Sequence, residues 1–164
     1  VRRGGHVLGI CGGYQMLGRR IRDPDGLEGP AGAMAEGLGL LAVETLLEPD
    51  KATRTVTAQT PDGACALDGY EIHAGCTFGP ATARPMLRVP DGPEGAVSPD
   101  GRIRGCYIRG LFASDAYRRY VLAALGHAGS EISYRVTVED ALDAIAARLD
   151  RILDVDGLLA LVRQ

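Results

Sequence analysis

The stretch Gly9-Ile10-Cys11-Gly12-Gly13-Tyr14-Gln15 constrains this chain more than any other, because it sets a cysteine beside glycine at the junction of two unlike patterns. Before it, residues 6–10 are short and apolar with β-branched Val7 and Ile10, which suits a strand buried in a parallel sheet. After it, Tyr14, Met16, Leu17 and Ile21 recur at roughly helical spacing, with Arg19, Arg20 and Arg22 on the polar face or in the last turn. A strand that runs at once into a helix presents the residue at the turn, and flanking glycines are expected to take the backbone angles that a Cβ opposes. The helix N-terminus favours negative charge on a reacting group, and the Gly12 N–H is placed to donate to an oxyanion. That is the outline of an acyl-transfer site with Cys11 as nucleophile and as the most reactive thiol. A bare G-x-C-x-G fits an inert buried cysteine equally well. Gln15, one turn into the helix, shifts the reading to catalysis as the residue that contacts a substrate; the alternative is a solvent-facing glutamine.

The remaining composition narrows the partners. A length of 164 residues suits one domain with a sizeable core, and the net charge of −3 offers no basic patch for nucleic acid. No apolar run is long enough to span a bilayer and no charged-then-apolar segment opens the chain, so no membrane partner and a cytoplasmic location are expected. Cys11, Cys65, Cys76 and Cys106 lie far apart without a C-x-x-C pair, which leaves no expected metal site and makes reduced thiols the default.

Along the chain, residues 23–39 are dense in Gly and Pro and read as a long surface loop. Residues 40–47 and 53–60 read as two strands joined at Pro49-Asp50-Lys51 and paired antiparallel, with a third at 69–73. Residues 95–98 and 103–108 read as a hairpin around Pro99-Asp100-Gly101. Ser114-Asp115 is an N-cap signal for a helix closed by Gly126. A second helix over 138–153 carries the stripe Ala141, Leu142, Ile145, Leu149, Ile152 and Leu153, expected in the core, and 155–162 reads as a last short helix. This order fits an α/β layered domain.

Gly9-Ile10-Cys11-Gly12-Gly13-Tyr14-Gln15-Met16-Leu17-Gly18 resembles the nucleophile motif of class I (triad-type) glutamine amidotransferases, in the version used by the cobalamin-pathway branch. Gly69-Tyr70-Glu71-Ile72-His73-Ala74-Gly75-Cys76-Thr77 and Gly105-Cys106-Tyr107-Ile108-Arg109-Gly110-Leu111-Phe112 resemble, in order and spacing, two further motifs of cobyric acid synthases. The resemblance implies a flavodoxin-like α/β domain, with residues 1–164 as its back part. The opening Val1-Arg2-Arg3-Gly4-Gly5 enters the nucleophile strand without the preceding β and α units, so an N-terminally incomplete domain is expected. The resemblance further implies catalytic Cys11, substrate-binding Gly12 and Gln15, glutamine as substrate, and a synthetase domain using ATP and a corrinoid. No G-x-x-x-x-G-K-[ST] loop is present, so ATP and magnesium are expected in that other domain and no cofactor here.

One departure stands out. Where the family motif has its catalytic histidine, this chain has Arg109, whose pKa above about 12 stops it shuttling a proton near neutral pH. Low activity of the chain alone is therefore expected. His73 is the candidate replacement base, against a structural role; His6 and His127 read as structural or solvated. Two alternatives accompany the glutaminase reading: a degenerate domain that packs on a synthetase partner, and an amidotransferase for a cell-wall lipid precursor.

Overall fold

The computed structural model describes residues 4–129 and 131–162, so the opening Val1-Arg2-Arg3 lies outside the described residues. In chain order the elements are β1 (Val7–Ile10), α1 (Gly12–Leu17), β2 (Arg20–Asp23), β3 (Ala33–Glu36), β4 (Glu44–Gln59), β5 (Ala66–Phe78), β6 (Leu87–Val89), β7 (Gly92–Glu94), β8 (Ala96–Val97), β9 (Ile103–Cys106), α2 (Asp115–Ala124), α3 (Tyr134–Ile152) and α4 (Val155–Val162). Short 3₁₀ turns occupy Pro80–Ala83 and Leu111–Ala113.

Two sheets carry this order. In the smaller, β1 pairs parallel with β9, Val7 opposite Ile103 and Ile10 opposite Cys106, and β8 pairs antiparallel on the other side of β9. The parallel strand expected before the cysteine is therefore present. Its partner comes from the far end of the sequence, and the hairpin across Pro99-Asp100-Gly101 delivers it. The larger sheet runs β3-β2-β4-β6-β7, with β5 paired to β4. It is mixed α/β architecture, as the sequence pattern implies.

Four local expectations change in the structure. The helix after Cys11 stops at Leu17, and Ile21 lies in β2. The chain that follows takes over its last carbonyls: Leu38 N–H donates to Met16, and Leu40 and Leu41 N–H to Leu17. A helix end supplied from outside need not continue. The 23–39 loop contains β3, which folds back on β2 with Ile21 opposite Ala35. The turn before it is tied by Asp23, whose buried carboxylate accepts N–H bonds from Leu27, Glu28 and Gly29.

The two strands expected at 40–47 and 53–60 are one long β4 rather than an antiparallel pair. β4 pairs instead with β5, with a break in register between Leu46 and Lys51 at the Pro49 position. Proline cannot donate to a ladder, so a bulge rather than a turn accommodates it. The fourth change concerns α3: Leu142, Ile145, Leu149, Ile152 and Leu153 are exposed, and no residue of this helix is buried among the described residues.

The core forms two clusters. Tyr14 and Leu17 of α1 pack with Leu41, Val43, Ala96, Ile103 and Tyr107, which anchors the turn carrying Cys11. The other joins Leu67 and Leu87 to Cys106, Ile108, Leu111 and Tyr117, which anchors the segment leading to Arg109 and the start of α2. Burying each such leucine is worth about 1.5–3 kcal/mol. Ser114 caps α2 by accepting the Tyr117 N–H, as its sequence signal requires.

Candidate active site

Cys11 sits between β1 and α1 with φ 55° and ψ −118°, the one non-glycine residue at positive φ among those described. The strain thus falls on the cysteine itself. Neither Gly12 nor Gly13 has a positive φ, and a Cβ on either would meet nothing. The glycine that the turn requires is Gly9, where a Cβ would lie 2.6 Å from the Gly13 carbonyl oxygen and 2.6 Å from Leu17 Cδ1. Absence of a side chain there lets α1 fold back against β1. The Cys11 N–H is fixed by the Cys106 carbonyl at 2.9 Å, which ties the turn to β9.

The three sequence motifs meet at the thiol. Cys11 Sγ donates to the Ile72 carbonyl at 3.3 Å, and Arg109 Nη2 donates to Sγ at 2.9 Å. Arg109 is held by its backbone, which exchanges N–H···O bonds with Tyr70 at 2.8 and 3.1 Å. The guanidinium therefore stands against the Cys11 thiol at the position where the family motif has its histidine. Its pKa is raised, first by the hydrogen bond to Cys11, so it stays charged. Its Nε is buried with no hydrogen-bond partner among the described residues.

Gln15 is not a solvated glutamine. Its Nε2 donates to the Ala74 carbonyl at 3.1 Å and to Tyr107 Oη at 3.3 Å, leaving the amide oxygen to meet a ligand. Gly12 opens α1, so its N–H is one of the first-turn donors that no intrahelical carbonyl can take. Cys11, Gly12, Gln15, Ile72, His73 and Arg109 line one cavity of about 430 Å³, large enough for an amino acid. Its outer wall brings Leu27 and Glu28 from the Asp23 turn, and Glu48, Pro49 and Lys51 from the β4 bulge. These wall residues escaped the sequence reading. A carboxylate before a Pro-Asp-Gly turn hinted at the first group, since aspartate side chains commonly bind their own turn; nothing local marked the second.

Behind the cavity lies a partly buried polar chain. Tyr107 Oη lies 2.6 Å from Thr77 Oγ1, which in turn contacts Thr45 Oγ1 at 2.7 Å, and the Tyr107 N–H donates to Glu94 at 2.6 Å. The His73 ring stacks on Tyr107, with centroids 3.6 Å apart and planes 13° apart. Burial pushes the Tyr107, Tyr14 and Glu94 pKa values up and the His73 pKa down. Among the other thiols, burial raises the pKa of both Cys65 and Cys106, while Cys76 is exposed. His6 and His127 are exposed and line no part of this cavity.

The CobB/CobQ-like glutamine amidotransferase domain matches residues 1–117. Among curated proteins, the cobyric acid synthases of Brucella canis, Brucella suis and Brucella melitensis are each 55% identical to this chain over 161 residues. The alignment covers 98% of this chain and 33% of each relative, so the chain spans about a third of their length. With the cysteine turn, its two companion motifs and these matches in agreement, the chain belongs to the CobB/CobQ-like glutamine amidotransferase domain family.

Proposed function

We propose that the chain acts as the glutaminase domain of a cobyric acid synthase, releasing ammonia from glutamine for ATP-dependent amidation of corrinoid carboxylates. Cys11 is the nucleophile: its sulfur attacks the side-chain amide carbon, the Gly12 N–H donates to the oxyanion, and Gln15 contacts the bound glutamine. ATP, magnesium and the corrinoid belong to a synthetase partner domain, and the cytoplasm is the expected location. The observation that carries this reading is the convergence of all three motifs on Cys11 Sγ at the wall of one cavity.

The test is a chloroketone analogue of glutamine, followed by peptide mapping. Labelling is expected at Cys11, slowed by added glutamine and abolished by Cys11→Ala. Exposed Cys76 is the internal control, because its reaction should be indifferent to glutamine. Labelling of Cys76 alone, or labelling of Cys11 that glutamine does not slow, overturns the reading.

A further inference from the structure

Release of ammonia from a tetrahedral intermediate needs a proton at the leaving nitrogen, and Arg109 cannot lend one near neutral pH. We propose that His73 carries this proton, its Nε2 shuttling between Cys11 Sγ and the departing ammonia. The inference rests on the glutaminase reading above and adds the residue that moves the proton.

Three features of His73 support it. Its Nδ1 lies 3.2 Å from the Gly75 carbonyl oxygen, and a carbonyl can only accept. Nδ1 therefore bears the hydrogen, and in the neutral ring Nε2 carries the free lone pair. The ring is also held in one orientation by its stacking on Tyr107, itself fixed through Thr77 and Glu94. Lastly, His73 lines the cavity of Cys11 and Arg109, and follows directly on Ile72, whose carbonyl receives the Cys11 thiol hydrogen. A second partner that fixes the tautomer and aims the other nitrogen is the arrangement expected of a histidine base.

The electrostatics agree with this geometry. Burial holds the His73 pKa below its ordinary value; nearby Glu71 works against the shift and Arg54 with it. The cavity wall adds Arg109 and Lys51 against Glu28 and Glu48, while Tyr107 remains a neutral phenol because burial raises its own pKa. Burial thus favours the neutral imidazole, the form whose Nε2 lone pair can take a proton.

In the first half-reaction the Sγ proton passes to Nε2 and the sulfur electron pair forms the S–C bond. The amide π pair moves onto oxygen. When that pair returns, the C–N bond breaks, its electrons leave with nitrogen, and the Nε2 proton makes ammonia. In the second half-reaction water gives a proton to Nε2 as its oxygen bonds to the thioester carbon. The C–S bond then breaks, and the proton returns to sulfur. The sum is glutamine and water to glutamate and ammonia. Arg109, hydrogen-bonded to Sγ, positions the sulfur throughout.

The experiment compares the chain with His73→Gln and His73→Ala for ammonia release across pH, for chloroketone labelling of Cys11, and for rescue by added imidazole. Departure of chloride needs no proton, and at alkaline pH the thiol ionises without His73, so labelling there reports whether the site is intact. Both variants should label at Cys11 at alkaline pH yet release ammonia near neutral pH about 10²- to 10⁴-fold more slowly. The rise in kcat/KM with pH that reports the imidazole should vanish. Imidazole should restore part of the His73→Ala rate and none of the rate of Cys11→Ala. Ammonia release within about threefold of wild type in His73→Gln, or a wild-type chain that labels at Cys11 but releases no ammonia at any pH, overturns His73 as carrier and leaves the nucleophile standing. Absence of glutamine-sensitive labelling in the wild type overturns the glutaminase reading itself.

Discussion

At Cys11 the backbone holds φ 55°, a conformation that costs a residue with a Cβ about 1–3 kcal/mol. Alanine keeps that Cβ, whereas glycine removes the strain at an entropic cost of about 0.5–1 kcal/mol. Cys11→Gly should therefore be more stable than Cys11→Ala by about 1 kcal/mol in urea unfolding, although both lack the thiol. A more stable alanine variant would show that the turn stores no strain. Glu94 makes a second prediction at this scale. Its pKa is raised above the ordinary 4.5, first by burial and then by the charge of Glu71, against the Tyr107 N–H bond that lowers it. A carboxyl with a raised folded pKa contributes stability that is fully present below the unfolded value and lost as pH rises through the folded one. Glu94→Gln keeps an oxygen for the Tyr107 N–H and removes the charge. Its melting temperature should exceed wild type at pH 7–8, with the gain shrinking as pH falls towards 4.5. An equal gain at both pH values would mean that the charge is not the cause.

Among the elements, β4 and β5 do most to shape the site, and their pattern was half legible. The alternation of Thr55, Thr57 and Gln59 with Val56 and Ala58 marked strand, but Pro49 marked a turn where the ladder has a bulge. A proline signals a missing donor, and the fold chooses how to absorb it. α3 shows the opposite limit. Its helical period was correct over residues 138–152, yet periodicity reports that one face is apolar and not what covers it. Leu142 is 54% and Ile145 56% exposed, whereas Leu87 is fully buried. Leu142→Gln and Ile145→Gln should each change the unfolding free energy by less than about 0.5 kcal/mol, while Leu87→Ala should cost about 2–5 kcal/mol. Losses of core size at α3 would show that its stripe is buried in solution.

Over the whole molecule, the site is assembled from segments that the sequence presents far apart. Cys11 meets Ile72 across 61 positions and Arg109 across 98, and Gln15 meets Tyr107 across 92. The strand-to-helix turn at Cys11, the order of the three motifs and the hairpin around Pro99-Asp100-Gly101 were legible, because turn chemistry and hydrophobic period act over a few residues. The role of Arg109 was legible only as a departure from a motif. That its Nη2 touches the sulfur depends on the pairing of residue 109 with Tyr70, and so on the register of β5. His73 was a histidine among three until Gly75 fixed its tautomer, Tyr107 its plane and the shared cavity its neighbour. The sequence by itself determined which side chain stands at the strand-to-helix turn and which motifs accompany it. Tertiary structure alone decided which charges surround that sulfur, which face of α3 stays bare and which imidazole shares the cavity. Those contacts arise from strand register and packing across the chain, and no local pattern encodes them.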